Sequence, residues 1–216
     1  MKRSLRWLSL RESANMAIFF VLLIPWLAAA GQVDVDNDGV LDSVRIETFD
    51  AKRSIDEEPC AGCGDRVEGH FVAVITLSKT HRTVKSPVSL HPDIVDTMWF
   101  WYGSGSDLVI TDYNGDGRPD FNLGQFTNSI KWEYGLFTIQ RDGHVKQLAL
   151  DHPEIYVSPG DAPSTDGIEA IEGGMRFRDF DSTAEPPGGL IFTCLWQADR
   201  GEFRCTSKAE IAPDSQ

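Results

Sequence analysis

Short apolar-rich runs, some of them alternating with polar positions, recur along most of this chain. Val44–Phe49 (VRIETF), Phe71–Leu77 (FVAVITL), Asp107–Tyr113 (DLVITDY), Gly135–Gln140 (GLFTIQ) and Gly174–Phe180 (GMRFRDF) are rich in β-branched and aromatic residues. Each run is bounded by Gly, Pro, Asp or Asn, the residues that turn a chain. A period of two places alternate side chains on one face of a strand. No segment after residue 30 sustains a 3.6-residue apolar period beyond two turns, so the pattern predicts an all-β fold. Asp142-Gly143 within Gln140–His144 predicts a tight hairpin whose turn residues both take positive φ. The stretches Asp151–Gly167 and Asp181–Gly189 are long loops rich in Pro, Gly and Asp.

The start of the chain has a different pattern. Lys2, Arg3, Arg6 and Arg11 precede an apolar run from Ala17 to Leu27 and the small residues Ala28-Ala29-Ala30. This is the layout of a secretory signal with a cleavage site before Gly31. The run is short for a membrane span, which needs about 20 residues. The expected organisation is a signal peptide over 1–30 and one domain over 31–216, exported to the periplasm without stable membrane insertion; secretion or the cell surface are the other destinations, and a retained N-terminal anchor is the rival reading. Removing the leader leaves 16 basic and 32 acidic residues, a net charge of −16 over 186 residues. Such a surface argues against nucleic acid and anionic lipid and favours a basic protein partner.

Export gives the four cysteines meaning, since disulfides persist in oxidising compartments. In GLIFTCLWQADRGEFRCTS, a turn centred on Asp199-Arg200 puts Cys194 opposite Cys205. Cys60 and Cys63 form a CxxC in a polar, glycine-rich loop. A redox role would want that pair opening a helix after a strand, and neither element is visible. A zinc site using all four cysteines would need the two pairs to meet in space. Two structural disulfides are expected, with the connectivity open.

Two stretches stand out for their chemistry. Asp34, Asp36, Asp38, Gly39 and Asp42 recur at the same offsets as Asp112, Asn114, Asp116, Gly117 and Asp120, both reading D-x-[DN]-x-D-G-x-x-D. Calcium takes six to eight hard oxygen ligands, and alternate residues of a looped backbone point toward one centre. Glycine at the sixth position permits the sharp turn. The carbonyls of Val40 and Arg118 at the seventh position and the acids at the ninth would complete two calcium shells. An EF-hand would need a glutamate at position 12 and flanking helices, but Arg45 and Leu123 stand there and strand-like sequence follows. Plain Asp/Asn/Gly turns are the alternative for one copy; the repeated ninth-position acid favours cation loops. The first loop offers four carboxylates and the second three, so the second should bind more weakly.

DLVITDYNGDGRPDFNLGQ resembles the FG-GAP or VCBS repeat, in which a strand enters a calcium loop and leaves as the next strand. VDVDNDGVLDSVRIE is similar to the same unit, its entering strand missing or supplied by the C-terminus. The resemblance is specific over about 35 residues of the two motifs. It implies a small β-propeller-like fold of about four to five partly degenerate blades, pinned by calcium in strand-connecting loops. A degenerate third loop would fall at Asp179-Phe180-Asp181. The signal peptide, the early and mid-chain acidic loops and the C-terminal hairpin with Trp196 and Phe203 are similar to small periplasmic immunity proteins of this type. That likeness implies binding and inhibition of a basic, lysozyme-like peptidoglycan hydrolase.

The densest aromatic cluster is Met98-Trp99-Phe100-Trp101-Tyr102, followed by Gly103-Ser104-Gly105-Ser106. Aromatics of this density carry core burial in a strand. If exposed, they would form an interface or a sugar-stacking platform. The Ser104-Gly105 pair resembles the Ser-Gly loop that periplasmic lysozyme inhibitors insert into the catalytic cleft, although their downstream tyrosine is out of register here. Tyr102, Ser104 and Gly105 are thus candidate partner contacts. Five scattered histidines, without HExxH, GxSxG or a phosphate loop, argue against an enzyme. The rival reading is a calcium-stabilised module that binds carbohydrate or a cell surface without inhibiting anything.

Overall fold

A computed structural model describes residues 26–48, 50–55, 65–90, 96–100, 106–128, 131–151, 155–157, 168–181 and 188–209. In chain order the strands are β1 (Trp26–Val33), β2 (Asp42–Thr48), β3 (Lys52–Ile55), β4 (Asp65–Gly69), β5 (Phe71–Leu77) and β6 (Arg82–Val88). Then come β7 (Asp96–Phe100), β8 (Ser106–Asp107), β9 (Ile110–Thr111), β10 (Asp120–Asn128), β11 (Lys131–Ile139) and β12 (Val145–Gln147). The last six are β13 (Ala149–Leu150), β14 (Ile155–Val157), β15 (Ile168–Ile171), β16 (Gly174–Asp181), β17 (Gly188–Gln197) and β18 (Glu202–Ala209). The described residues are all-β, with no helix among them.

Three larger sheets share one plan. Their strand orders are β6-β5-β2-β1-β8, β12-β11-β10-β9 and β13-β18-β17-β16-β15; β14 also pairs with β11, and β3-β4-β7 forms a smaller sheet. In each large sheet, a first strand leads through a turn into an antiparallel meander. Alternation decides the faces. Along β2 the side chains of Val44 and Ile46 are fully buried while their neighbours are half-exposed. In β11, every residue from Glu133 to Ile139 is buried. That strand is covered on both faces. Phe137 and Ile139 join Phe121 and Leu123 in a core with Val44, Ile46, Phe71 and Ile75. Tyr134 and Leu136 join Met175, Phe177, Phe192 and Phe203 in a second core. The middle sheet is therefore sandwiched between the other two, which sets the hydrophobic effect on both of its sides.

Cross-strand aromatic pairs hold the registers. Phe121 stacks on Phe137 at 5.3 Å, Phe177 on Phe192 at 5.0 Å, and Trp196 meets Phe203 edge-on at 4.9 Å. Each pair sits directly opposite in its ladder. Contacts of this kind contribute about 0.5–1.5 kcal/mol beyond area burial. Cys194 and Cys205 are opposite one another and joined by a disulfide, as the turn at Asp199-Arg200 predicts. Cys60 and Cys63 lie outside the described residues.

Several expectations are corrected in detail. The segment 107–113 is not one strand: β8 runs parallel to β1, while β9 pairs with β10 in the next sheet. Leu108 N donates to Ala30 O between them, so the chain changes sheets within three residues. Only Gly143 has positive φ in the 140–144 hairpin; Gly143 N donates to Gln140 O and Gln140 N to His144 O. This is a three-residue loop with a left-handed glycine, because Asp142 instead caps His144 N with its side chain. The entering strand of the first acidic unit is not missing or C-terminal. It is β1, which begins inside the expected leader and pairs Ala30 with Arg45 and Val33 with Asp42. Asp179-Phe180-Asp181 belongs to β16, paired with Gly188–Leu190, and forms no loop. In the aromatic segment, residues 98–100 lie in β7, paired with β4, and 101–105 lie outside the described residues, including Tyr102, Ser104 and Gly105.

Candidate metal centre

The acidic stretches occupy the same place in two sheets. Residues 34–41 connect β1 to β2, and residues 112–119 connect β9 to β10. In the third sheet a two-residue turn, Glu172-Gly173, fills that place. The loops close on themselves through side-chain oxygens that accept backbone N–H groups. In the first, Asp34 Oδ1 accepts from Asp38 N (3.1 Å) and Asp34 Oδ2 from Gly39 N (2.8 Å). Asp36 Oδ1 accepts from Asp38 N (3.2 Å), Asp38 Oδ1 from Val40 N (2.9 Å) and Asp42 Oδ2 from Val35 N (2.9 Å).

Shifting every number by 78 reproduces all five bonds in the second loop. Asp112 accepts from Asp116 N and Gly117 N, Asn114 Oδ1 from Asp116 N, Asp116 Oδ1 from Arg118 N, and Asp120 Oδ2 from Tyr113 N. The backbone repeats too. Gly39 and Gly117 have φ of 84° and 77°, and Asn37 (61°) stands where Gly115 (73°) does. A side chain costs little in this left-handed region only when it is absent or is asparagine. Two loops 78 residues apart thus share one conformation because they share one pattern of short acceptors and turn residues.

The acids are brought together unevenly. Oxygens of Asp34, Asp36 and Asp42 lie within 4.8 Å of one another. At an effective dielectric of about 20, two carboxylates at that separation repel by roughly 3 kcal/mol. Asp38 stands outside this group: its Oδ2 faces Lys79 Nζ at 3.6 Å. In the second loop Asp116 Oδ2 faces Arg118 Nε at 3.8 Å. Val40 and Arg118, expected as carbonyl ligands, are exposed and donate their N–H groups inward.

The ninth-position acids differ most. Asp42 is 1% exposed and uses both oxygens, since its Oδ1 accepts from Ser78 N at 2.7 Å. Ser78 Oγ in turn donates to Leu41 O. Sequence reasoning missed Ser78, which lies 36 residues away and carries no motif. Asp120 is fully buried, and among the described residues its Oδ1 has no hydrogen-bond partner. Its Oδ2 takes Tyr113 N (2.9 Å) and Asn114 N (3.3 Å). Burial pushes the Asp120 carboxyl up to about 7; Thr138, opposite it, and the Tyr113 and Asn114 amides pull the other way. Thr138 Oγ1 reaches no hydrogen bond of ordinary geometry either. The Tyr113 hydroxyl, pushed up to about 12 chiefly by burial, accepts from Asn122 Nδ2 at 2.8 Å and donates to Ile168 O at 3.3 Å.

The two loops also differ in surroundings. Leu41 and Val40 are 59% and 41% exposed, whereas Pro119, at the position of Leu41, is buried. A Cβ placed on Gly115 would lie 3.5 Å from Gly173 Cα, so the second loop rests on the turn of the third sheet. A hard divalent cation fits the chemistry of the first loop, where three carboxylates converge; among the described residues the acids of the second loop form no such group, although a carboxylate oxygen without a hydrogen-bond partner is buried there. Comparisons with family models, curated proteins and solved structures found no match for this chain.

Proposed function

We propose that this chain is an exported, non-catalytic protein that binds calcium in its two acidic loops and inhibits a basic, lysozyme-like peptidoglycan hydrolase. The observation that carries the calcium reading is the five-bond lattice that both loops share, with the carboxylates of Asp34, Asp36 and Asp42 converging in the first. Asp34, Asp36 and Asp42 would hold the first cation, and Asp112, Asn114 and Asp120 the second, with Asp38 and Asp116 available when their basic neighbours move away. Calcium supplies charge neutralisation there, not chemistry on a substrate. Bound only by the native state, it would stabilise the fold by mass action, by about 2.7 kcal/mol at a hundredfold excess over its dissociation constant.

The inhibitor reading rests on the resemblance of the acidic units and on the net charge of −16 left after leader removal, which favours fast encounter with a basic enzyme. The stacked sheets, each built on an antiparallel meander and two of them entered through the same acidic connection, support a small propeller-like architecture. The test is clearing of peptidoglycan by cell-wall hydrolases, basic lysozymes first, in the presence of the chain with calcium or with chelator. Stoichiometric inhibition that chelator abolishes is expected. Absence of inhibition and of any complex, while glycan binding persists, would replace the inhibitor by a carbohydrate-binding module.

A further inference from the structure

Asn114-Gly115 is the one Asn-Gly dipeptide in the chain; Asn15, Asn37, Asn122 and Asn128 precede Met, Asp, Leu and Ser. Glycine lets its own backbone nitrogen approach and attack the side-chain carbonyl carbon of the preceding asparagine, because no Cβ crowds that approach. The loop adds two features that the dipeptide alone lacks. Asp112 Oδ1 accepts from Gly115 N at 2.7 Å, so a carboxylate sits on the proton that must leave this nitrogen. Asp116 N donates to Asn114 Oδ1 at 3.0 Å, where negative charge would grow as the amide carbon is attacked. Gly115 itself is exposed and has φ of 73°.

We propose that Asn114 is a site of structure-assisted deamidation, which converts the second loop to the all-carboxylate pattern of the first. The Gly115 nitrogen forms a bond to Asn114 Cγ as its proton passes to Asp112. That proton then goes to the departing amide nitrogen, the Cγ–Nδ2 bond breaks, and ammonia leaves. Water adds to the resulting cyclic imide and opens it to aspartate or isoaspartate at position 114. The first loop already carries Asp36 at this place, so the aspartate product equalises the two loops in charge. The added carboxylate would raise cation affinity in the second loop with age, a consequence that rests on the calcium reading above.

The experiment follows the covalent change itself, in chelator, so its outcome does not depend on calcium binding. The full chain is incubated at mildly alkaline pH, native and in denaturant. The peptide spanning residues 112–120 is then analysed by mass spectrometry and isoaspartate labelling. Conversion is expected at Asn114 ahead of every other asparagine and several-fold faster in the native chain than in the denatured one. Asp112→Asn should slow it by at least about tenfold, since a positioned base commonly contributes a hundredfold or more. Equal or slower conversion in the native chain overturns the proposal, even where Asp112→Asn fails to fold. An unchanged rate in a folded Asp112→Asn variant overturns the role of Asp112.

Discussion

Asp42→Asn and Asp120→Asn make the same chemical change at the same position of two matching loops. In cation-free buffer they are expected to shift stability in opposite directions. Both Asp42 oxygens accept backbone N–H groups, from Val35 at 2.9 Å and Ser78 at 2.7 Å. An amide there turns a donor toward one of those donors. The loss is one charge-assisted bond plus an unpaired N–H beside the core, about 2–4 kcal/mol. Asparagine at 120 keeps an acceptor for Tyr113 N and Asn114 N and offers its NH2 toward Thr138 Oγ1, which has no partner among the described residues. It also removes a carboxyl that burial has raised from 3.8 to about 7. With that shift, the folded chain retains a proton that the unfolded chain has released. The contribution to stability is fully present below pH 3.8 and is lost as pH rises through about 7. At about 1.4 kcal/mol per pH unit the gap is roughly 4 kcal/mol, and recovery of about 2 kcal/mol by Asp120→Asn near pH 8 is a reasonable share. Urea unfolding in chelator, followed by tryptophan fluorescence at about pH 5 and pH 8, gives both numbers. The difference between wild type and Asp120→Asn isolates this carboxyl from the other acids. Calcium should reverse the gain at 120 by stabilising wild type alone. If Asp120→Asn loses as much as Asp42→Asn at pH 8 in chelator, the burial argument is wrong.

Two further outcomes test the loops and the hairpin. Asn37→Ala should cost about 1 kcal/mol, because alanine tolerates the left-handed φ of 61° poorly, and Asn37→Gly should recover most of it; thermal unfolding in chelator reads both. Reducing the Cys194–Cys205 disulfide, with its sequence separation of 11, should cost about 3 kcal/mol on the loop-entropy account, and a shift below 1 kcal/mol in urea midpoints would count against that account.

Local chemistry was legible before any fold was known. Runs of β-branched and aromatic residues between turn residues located β2, β5, β11 and β16, because strands that bury one face or both need such side chains whatever they pack against. The acceptor and glycine spacing of Asp34–Asp42 and Asp112–Asp120 wrote a loop conformation into nine residues, since all its bonds are short-range. The turn at Asp199-Arg200 fixed which cysteines face each other. What sequence could not decide depends on partners brought from far away. Ser78, 36 residues from Asp42, satisfies one ninth-position acid, and among the described residues nothing equivalent reaches Asp120 Oδ1. Residues 106–111 divide between two sheets because β1 and β10 compete for them, a contest settled by packing rather than by propensity. Burial of Pro119 and exposure of Leu41, at one position of one motif, follow from the neighbouring sheet that covers the second loop and leaves the first open. Spacing set the loop conformation; tertiary packing set how much water Asp120 loses, and with it the charge of that carboxyl.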